Sequence, residues 1–516
     1  MDRLEDQLRA LGPAALKGIR RGIEKESLRV RSDGSLALTP HPVALGSALS
    51  HPNITTDFSE SQLELITGVS GSAEDCFADI TRIHQAVVHG NAGEMLWGSS
   101  MPCHLPGDDE IPIGLYGRSN IGRAKSVYRM GLAWRYGRRM QAISGIHYNF
   151  SLPGRGNDGY LALIRNFRRH GWLLFYLFGA SPAVCSSFVE GREHRLQVLT
   201  EGTMYLPHAT TLRMGRLGYQ SDAQSSITAS CNSLEAYGAA LEEALTRSYP
   251  AYEKIGIQGP EGLDVDGVSY RQLATSLIQI ENEFYGKIRP KRIIRSGERP
   301  LHALRERGIE YVEVRLMDLD PFEPVGINTG TMKFLDVFLL HCAFSSSPRD
   351  TPEELASVGR NQEKVATRGR EPGLKLERGS QTVALAEWAG QILAECEPIA
   401  AALDDAHGGR GHREALAAAV SVLNDPDSAP SARVLAAMKS EHGNTYTRFV
   451  VAQSKKHHAA LKALPFSAET AADFKRKAQE SIEKQKAVEA ADTQPFEEWR
   501  KLYLSRDKLH PKGEKR

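Results

Sequence analysis

The chain has 516 residues, 41% hydrophobic and 25% charged, the composition of an ordinary globular protein with a large core. Its 64 basic and 63 acidic residues leave a formal charge of +1, so no bulk field points to nucleic acid or to an acidic membrane. Cysteines at 76, 103, 185, 231, 342 and 396 include no Cys-x-x-Cys pair and are too sparse for a disulfide scaffold, so reduced thiols are expected.

The opening Met-Asp-Arg-Leu-Glu-Asp lacks an apolar signal-peptide core, which suits a cytoplasmic protein. Residues 2–11 predict an amphipathic helix stopped by Gly12-Pro13. Residues 22–30, Gly-Ile-Glu-Lys-Glu-Ser-Leu-Arg-Val, follow as a strand. Alternation places Glu24 and Glu26 on one face, about 7 Å apart. Two neighbouring carboxylates repel, and a bound cation or a raised pKa relieves them. The plain alternative is a solvated edge strand with two surface glutamates.

Residues 54–68 hold a turn and the run Gln62-Leu63-Glu64-Leu65-Ile66, and 73–96 have helical spacing through Phe77, Ile80, Ile83 and Val87. A long Gly-, Pro- and Asp-rich loop is expected over 101–120, then a basic helix over 123–140. Residues 144–152 form a clean strand, with His147, Asn149 and Ser151 opposite Tyr148, Phe150 and Leu152. A helix follows over 160–178. The run 172–189 is broken by Gly179, Ser181, Pro182, Ser186 and Ser187, so it reads as a buried helix and a loop, too short to span a bilayer. Residues 287–295 are basic and extended. Residues 309–316 alternate Val312, Val314 and Leu316 with Tyr311, Glu313 and Arg315. From 334 onward the chain reads as helical, with polar linkers at 345–381 and 425–432. The organisation expected is one catalytic domain over 1–505 and a charged, flexible tail over 506–516.

Four strand-like segments thus carry an apolar face and a polar face rich in ligand atoms: Glu24 and Glu26; Glu64, with Asp57 and Glu60 just upstream; His147 and Asn149; Glu313 and Arg315. An antiparallel sheet can bury one face and leave the other open. So much negative charge on an open face calls for divalent cations carrying a polyphosphate, with Arg315 available to a transferring phosphoryl group. No standard phosphate loop accompanies it. Gly117 to Ser126 lacks the Gly-Lys-Ser/Thr ending, and Gly154 to Gly159 fits Gly-x-Gly-x-x-Gly without the acid about twenty residues on. Arg289, Lys291, Arg292 and Arg295 are the cations left to hold a nucleotide, unless they form a solvated basic loop. A nucleic-acid reading through 135–139 and 287–295 competes, but the near-zero charge and the acidic face oppose it.

Seven segments in order along the chain carry a resemblance: Gly18-Ile-Arg-Arg-Gly-Ile-Glu-Lys-Glu-Ser-Leu-Arg-Val30, Ile54-Thr-Thr-Asp-Phe-Ser-Glu60, Ser144-Gly-Ile-His-Tyr-Asn-Phe-Ser-Leu-Pro153, Tyr176-Leu-Phe-Gly-Ala-Ser-Pro182, Ile288-Arg-Pro-Lys-Arg292, Gly308-Ile-Glu-Tyr-Val-Glu-Val-Arg315 and Ala490-Ala-Asp-Thr-Gln-Pro-Phe496. Together they resemble proteobacterial glutamate–cysteine ligase over nearly the whole chain. The resemblance implies an α+β, glutamine-synthetase-like fold with a curved, mainly antiparallel sheet forming a funnel. It implies ATP-dependent joining of the γ-carboxylate of L-glutamate to the amine of L-cysteine through a γ-glutamyl phosphate, the first step of glutathione synthesis. Carried over by motif, Glu24, Glu26, Asp57, Glu64, His147 and Glu313 would hold several Mg²⁺ ions, with Mn²⁺ as an alternative. Glu60 ranks below them. Arg315 would contact the γ-phosphoryl, with Glu313 beside it in catalysis; Arg129 and Arg213 would hold substrate carboxylates; Tyr128, Tyr219 and Tyr285 would surround the cysteine side chain; Arg289 and Lys291 are the nucleotide-side candidates. Small-molecule substrates, glutathione as a feedback inhibitor, no nucleic-acid or membrane partner and a monomer complete the expectation. The segment 154–159 is shorter than in some relatives and the end beyond Trp499 is longer and more basic. At this length no appended glutathione synthetase module is expected.

Overall fold

A computed structural model describes residues 2–511 apart from 92, 219–222, 225, 226, 228 and 296. Its centre is a seven-stranded sheet of β1 (Arg20–Val30), β2 (Ile54–Thr56), β3 (Gln62–Ile66), β4 (Met95–Leu96), β5 (Ile146–Ser151), β6 (Ile288–Lys291) and β7 (Tyr311–Met317). The spatial order is β6-β7-β5-β1-β3-β2, with β4 paired to the end of β1, and every pairing is antiparallel. β1 is therefore central, paired on both sides, which overturns the edge-strand alternative. A register shift between Val314 and Met317 interrupts the β5–β7 ladder, the kind of irregularity that bends a strand.

Period-2 alternation decides which face is buried. Ile23, Leu63, Leu65, Ile146, Tyr148, Phe150, Val312 and Val314 pack into one apolar cluster. The helices Ala73–Gly90, Asn157–His170 and Thr329–Phe344 contribute Ile80, Ile83, Val87, Leu161, Ile164, Phe334 and Phe338 to it. One buried polar knot ties sheet to helix: Asp336 lies 2.9 Å from Arg21 and accepts a 2.8 Å bond from the Tyr148 hydroxyl. Leaving that carboxylate unpaired at such depth would be costly.

Local chemistry explains several differences from the expected elements. The first helix runs over Asp2–Lys17, bent at Gly12, whose φ of 71° only glycine adopts readily. The basic helix spans Asn120–Tyr136 and stops at Gly137, also at positive φ, before one more turn at Arg138–Gln141. Its Arg135 is fully buried against Glu283 at 2.9 Å, so this segment is no solvated basic stripe. The apolar run becomes the helix Trp172–Phe178, the strand Ala183–Cys185 and a turn at Ser186–Val189. The expected linker 345–381 holds the helix Pro352–Arg368, capped by Thr351, and opens a hairpin of Lys375–Arg378 and Gln381–Ala384.

Two further expectations are corrected. Cys103 and Cys185, separated by 82 positions in sequence, form a disulfide, while the other four cysteines are buried thiols. The tail is docked as far as it is described. Leu509 is buried in the main core, and Glu242 binds Arg305, Arg506 and His510; residues 512–516 lie outside the described residues. No helix among the described residues is long and apolar enough to cross a membrane.

Candidate active site

The open face of the sheet gathers the ligand-bearing residues through register. Glu24 on β1 stands opposite His147 on β5, and Glu26 stands opposite Glu64 on β3. One ring nitrogen of His147 is 3.2 Å from Glu24 and the other 3.7 Å from Glu26. Glu24, Glu64 and His147 each offer a ligand atom within 4.8 Å of the others. On β7, Glu313 stands opposite Asn149 of β5 and Arg289 of β6. Its carboxylate, 1% exposed, is clasped by Lys291 at 3.0 Å and Arg315 at 3.1 Å. Arg315 also approaches His147 at 3.4 Å, joining the two groups of acids.

Loops and one helix supply the rim. Asp57 follows β2 with its side chain 39% exposed, and Arg129 from the Asn120–Tyr136 helix donates to its carbonyl and lies 3.9 Å from its carboxylate. Arg129 stacks on Tyr116 at 4.4 Å and lies 5.9 Å from the ring of its neighbour Tyr128. Arg213 is almost completely buried, 3.7 Å from Asp318, and donates to the Arg315 carbonyl at 3.1 Å. It passes directly over Gly145, where a Cβ would meet its guanidinium at 1.8 Å. The Gly145 N–H donates to Glu26 at 2.7 Å. Glycine here lets both contacts exist.

Burial and mutual repulsion give these acids unequal proton affinities. Burial and Asp57 lift the Glu26 carboxyl to about 8 against the pull of Arg213 and Arg315. Burial with Asp57, Glu24 and Glu26 pushes Glu64 well above the usual carboxylate range. Burial and Glu313 work the same way on Glu24, but the bond from His147 and the field of Lys291 bring it below its ordinary value. Burial opposes charge on Glu313 too, yet Lys291 and Arg315 hold it well below. Burial and Arg315 hold the His147 imidazole below its ordinary value against the pull of Glu24 and Glu313. The face thus combines a carboxylate fixed by its own cations with a cluster of acids that repel one another.

Not every expected residue reaches this cluster. Both oxygens of Glu60 accept backbone N–H groups, from Leu115 and from His41, each at 2.6 Å, which marks it as a loop tie. Arg289 donates to the carbonyls of Asn282 and Phe284. Tyr285 accepts from Gln141 at 3.0 Å and borders a separate cavity of about 400 Å³ with Arg168, Lys287 and Gln362. Tyr219 lies outside the described residues. Asn149, expected on the same polar face as His147, donates to Glu24 at 2.9 Å, and one side chain beyond the expected set also belongs: Lys125, whose charge acts on Glu64 and whose amine sits 5.1 Å over Tyr116. Strand alternation signals the first, and helical spacing of four from Arg129 signals the second.

Comparison with known proteins identifies the family. The family model described as glutamate-cysteine ligase matches residues 6–157 and 154–365. Glutamate–cysteine ligase of Azotobacter vinelandii is 47% identical over 503 residues, 93% of each chain. That of Pseudomonas aeruginosa strain LESB58 is 47% identical over 510 residues, 95% of each. Among solved structures, glutamate–cysteine ligase of Francisella tularensis in complex with AMP superposes with a TM-score of 0.88 at 33% identity, covering 94% of this chain and 97% of that one. A bifunctional glutathione synthetase from Pasteurella multocida gives 0.72 at 25% identity, covering 92% of this chain and 58% of its own. Fold and site define an ATP-dependent carbon–nitrogen ligase of α+β, glutamine-synthetase-like architecture. The chain belongs to the glutamate–cysteine ligase family, whose reaction joins L-glutamate to L-cysteine at the expense of ATP in the first step of glutathione synthesis.

Proposed function

We propose that the acidic sheet face performs this ligation through a γ-glutamyl phosphate, with Mg²⁺ held by Glu24, Glu26, Asp57, Glu64, His147 and Glu313. The donor set suits a hard cation, being carboxylate oxygens with a single imidazole. So does Asn149, whose carbonyl oxygen is buried beside Glu24 without a hydrogen-bond partner. Mg²⁺ would supply neutralisation of the polyphosphate oxygens. Mn²⁺ would serve the same ligands.

The rest is the work of the chain. Arg315, pinned by Glu313 and near His147, presents a guanidinium to the transferring phosphoryl, and Lys291 approaches from the opposite side of Glu313. A carboxylate is a poor electrophile until one oxygen becomes a leaving group, and stabilising the phosphoryl in flight is largely electrostatic. Arg129 and Arg213 would orient substrate carboxylates, with Tyr128 and Tyr219 on the cysteine side; Tyr285 would serve there only through the neighbouring cavity it borders, and Arg289 would act on the nucleotide side through its charge beside Glu313. Glutathione repeats the γ-glutamyl-cysteinyl part of the product, so inhibition through the same pocket goes with this reading. A cytoplasmic monomer does too, since one chain supplies every group named.

The observation that carries the proposal is the cross-strand register that brings Glu24, His147, Glu26 and Glu64 together on one face with Glu313 and Arg315. The test is mass-spectrometric detection of γ-glutamylcysteine after incubation with ATP, Mg²⁺, glutamate and cysteine, with phosphate release followed for each candidate amine. Phosphate release without preference for cysteine would sink the acceptor assignment. Product formation unaffected by chelation of Mg²⁺ would sink the metal.

A further inference from the structure

A second group of ligand atoms lies away from the acidic face, in the helical layer. His170 ends the helix Asn157–His170, while His341 and Cys342 lie on Thr329–Phe344. One ring nitrogen from each histidine and the Cys342 sulphur fall within 4.8 Å of one another. His341 and Cys342 are completely inaccessible to solvent. The two imidazoles tilt against each other with centroids 5.6 Å apart, and Trp388 closes over His170 at 6.0 Å.

Two features together point to a ligand at this cluster. The Nδ1 atoms of both His170 and His341 are buried and have no hydrogen-bond partner, although buried polar atoms ordinarily find one. The far nitrogen of His341, Nε2, is 2.7 Å from the Glu395 carboxylate on the helix Leu385–His407. A carboxylate on one ring nitrogen fixes the tautomer and leaves the other nitrogen's lone pair for a metal, the usual outer arrangement of a histidine–metal bond.

We propose that His170, His341 and Cys342 form a site for a borderline-soft divalent cation of the Zn²⁺ class, with Glu395 orienting His341 from outside. Ligands about 2.0–2.3 Å from a tetrahedral ion are about 3.3–3.8 Å apart, so the three need draw in by about 1.5 Å at most. On binding, the Cys342 S–H bond breaks, its proton leaves to solvent, and the thiolate forms the bond to the metal. Both histidines bind as neutral imidazoles, and a water completes the fourth position. Nitrogen and sulphur donors select against Mg²⁺, so this site and the carboxylate face would sort two metals by donor type. The role is structural: the ion would clamp the ends of the helices Asn157–His170 and Thr329–Phe344, with Leu385–His407 tied to them through Glu395.

Co²⁺ is the probe, because a thiolate bound to it gives a near-ultraviolet charge-transfer band that carboxylate and imidazole ligands do not. The full-length protein is titrated with Co²⁺ under excess Mg²⁺, which occupies the oxygen ligands. The band should saturate at one equivalent and vanish on adding Zn²⁺. Cys342→Ser should abolish it, and His170→Ala and Glu395→Gln should each weaken Co²⁺ binding about tenfold or more. Absence of the band in the unaltered protein overturns the proposal, whether or not the variants fold. So does a band that survives unchanged in both Cys342→Ser and His170→Ala.

Discussion

Glu313 sits between two cations, Lys291 at 3.0 Å and Arg315 at 3.1 Å, and so remains ionised where burial alone would protonate it. Replacing it with Gln removes a charge without changing shape. Turnover should fall roughly 10²- to 10³-fold while the circular dichroism spectrum stays unchanged. Glu24→Gln should behave alike, and near-normal kcat in either variant would remove that residue from the metal shell. Arg315→Lys keeps the charge but loses the planar fork, so kcat should drop by about 10²-fold with a smaller effect on the ATP KM. Gly145 offers a sharper steric test. A methyl there meets the Arg213 guanidinium at 1.8 Å, so Gly145→Ala should displace Arg213 and raise the KM of an amino-acid substrate well before it unfolds the chain. An unchanged KM would show that Arg213 holds no substrate.

At the scale of elements, the docked tail is the part with a pH signature. Burial would raise the Glu242 carboxyl, but bonds from Arg305, Arg506 and His510 outweigh it and hold the group down to about 2. A carboxyl depressed in the folded state adds stability above its unfolded pKa, about 4.3, and that stability is lost as pH falls from there toward 2. The Tm gap between the unaltered protein and Glu242→Gln should therefore be constant from neutrality to about pH 5 and close below pH 4. A gap independent of pH would mean that Glu242 acts through packing alone. Leu509 anchors the same element, and Leu509→Ala should cost about 2–5 kcal/mol in denaturant unfolding if the tail is part of the fold.

For the whole molecule, the Cys103–Cys185 bond links the long loop after β4 to the strand Ala183–Cys185, closing a loop across the 82-residue separation. A crosslink of that span restricts the unfolded chain by an amount worth up to about 4 kcal/mol. Adding a reductant should lower the Tm of the unaltered protein and leave Cys103→Ser with Cys185→Ser unmoved. Equal response of the two would show that the bond does not form in solution. The buried Arg21–Asp336–Tyr148 knot works on the same scale, since it joins the central strand to the helical layer.

Strand identity and facing were legible because they are local. Alternation in Ser144–Leu152 and Ile309–Leu316 needs only the pleat, and it put His147, Glu313 and Arg315 on their correct face. The motifs around Glu24, Asp57 and Arg315 likewise named the family before any coordinate. Pairing was not local. That Glu24 meets His147, that Glu26 meets Glu64, and that Lys291 and Arg315 clasp one carboxylate depend on strands brought together from far along the chain. The same holds for the disulfide and for the tail seated on Glu242. Glu60 shows the limit most plainly. Its neighbours in sequence match those of a ligand, and only the folded loops, which offer it two N–H groups, turn it into a structural tie.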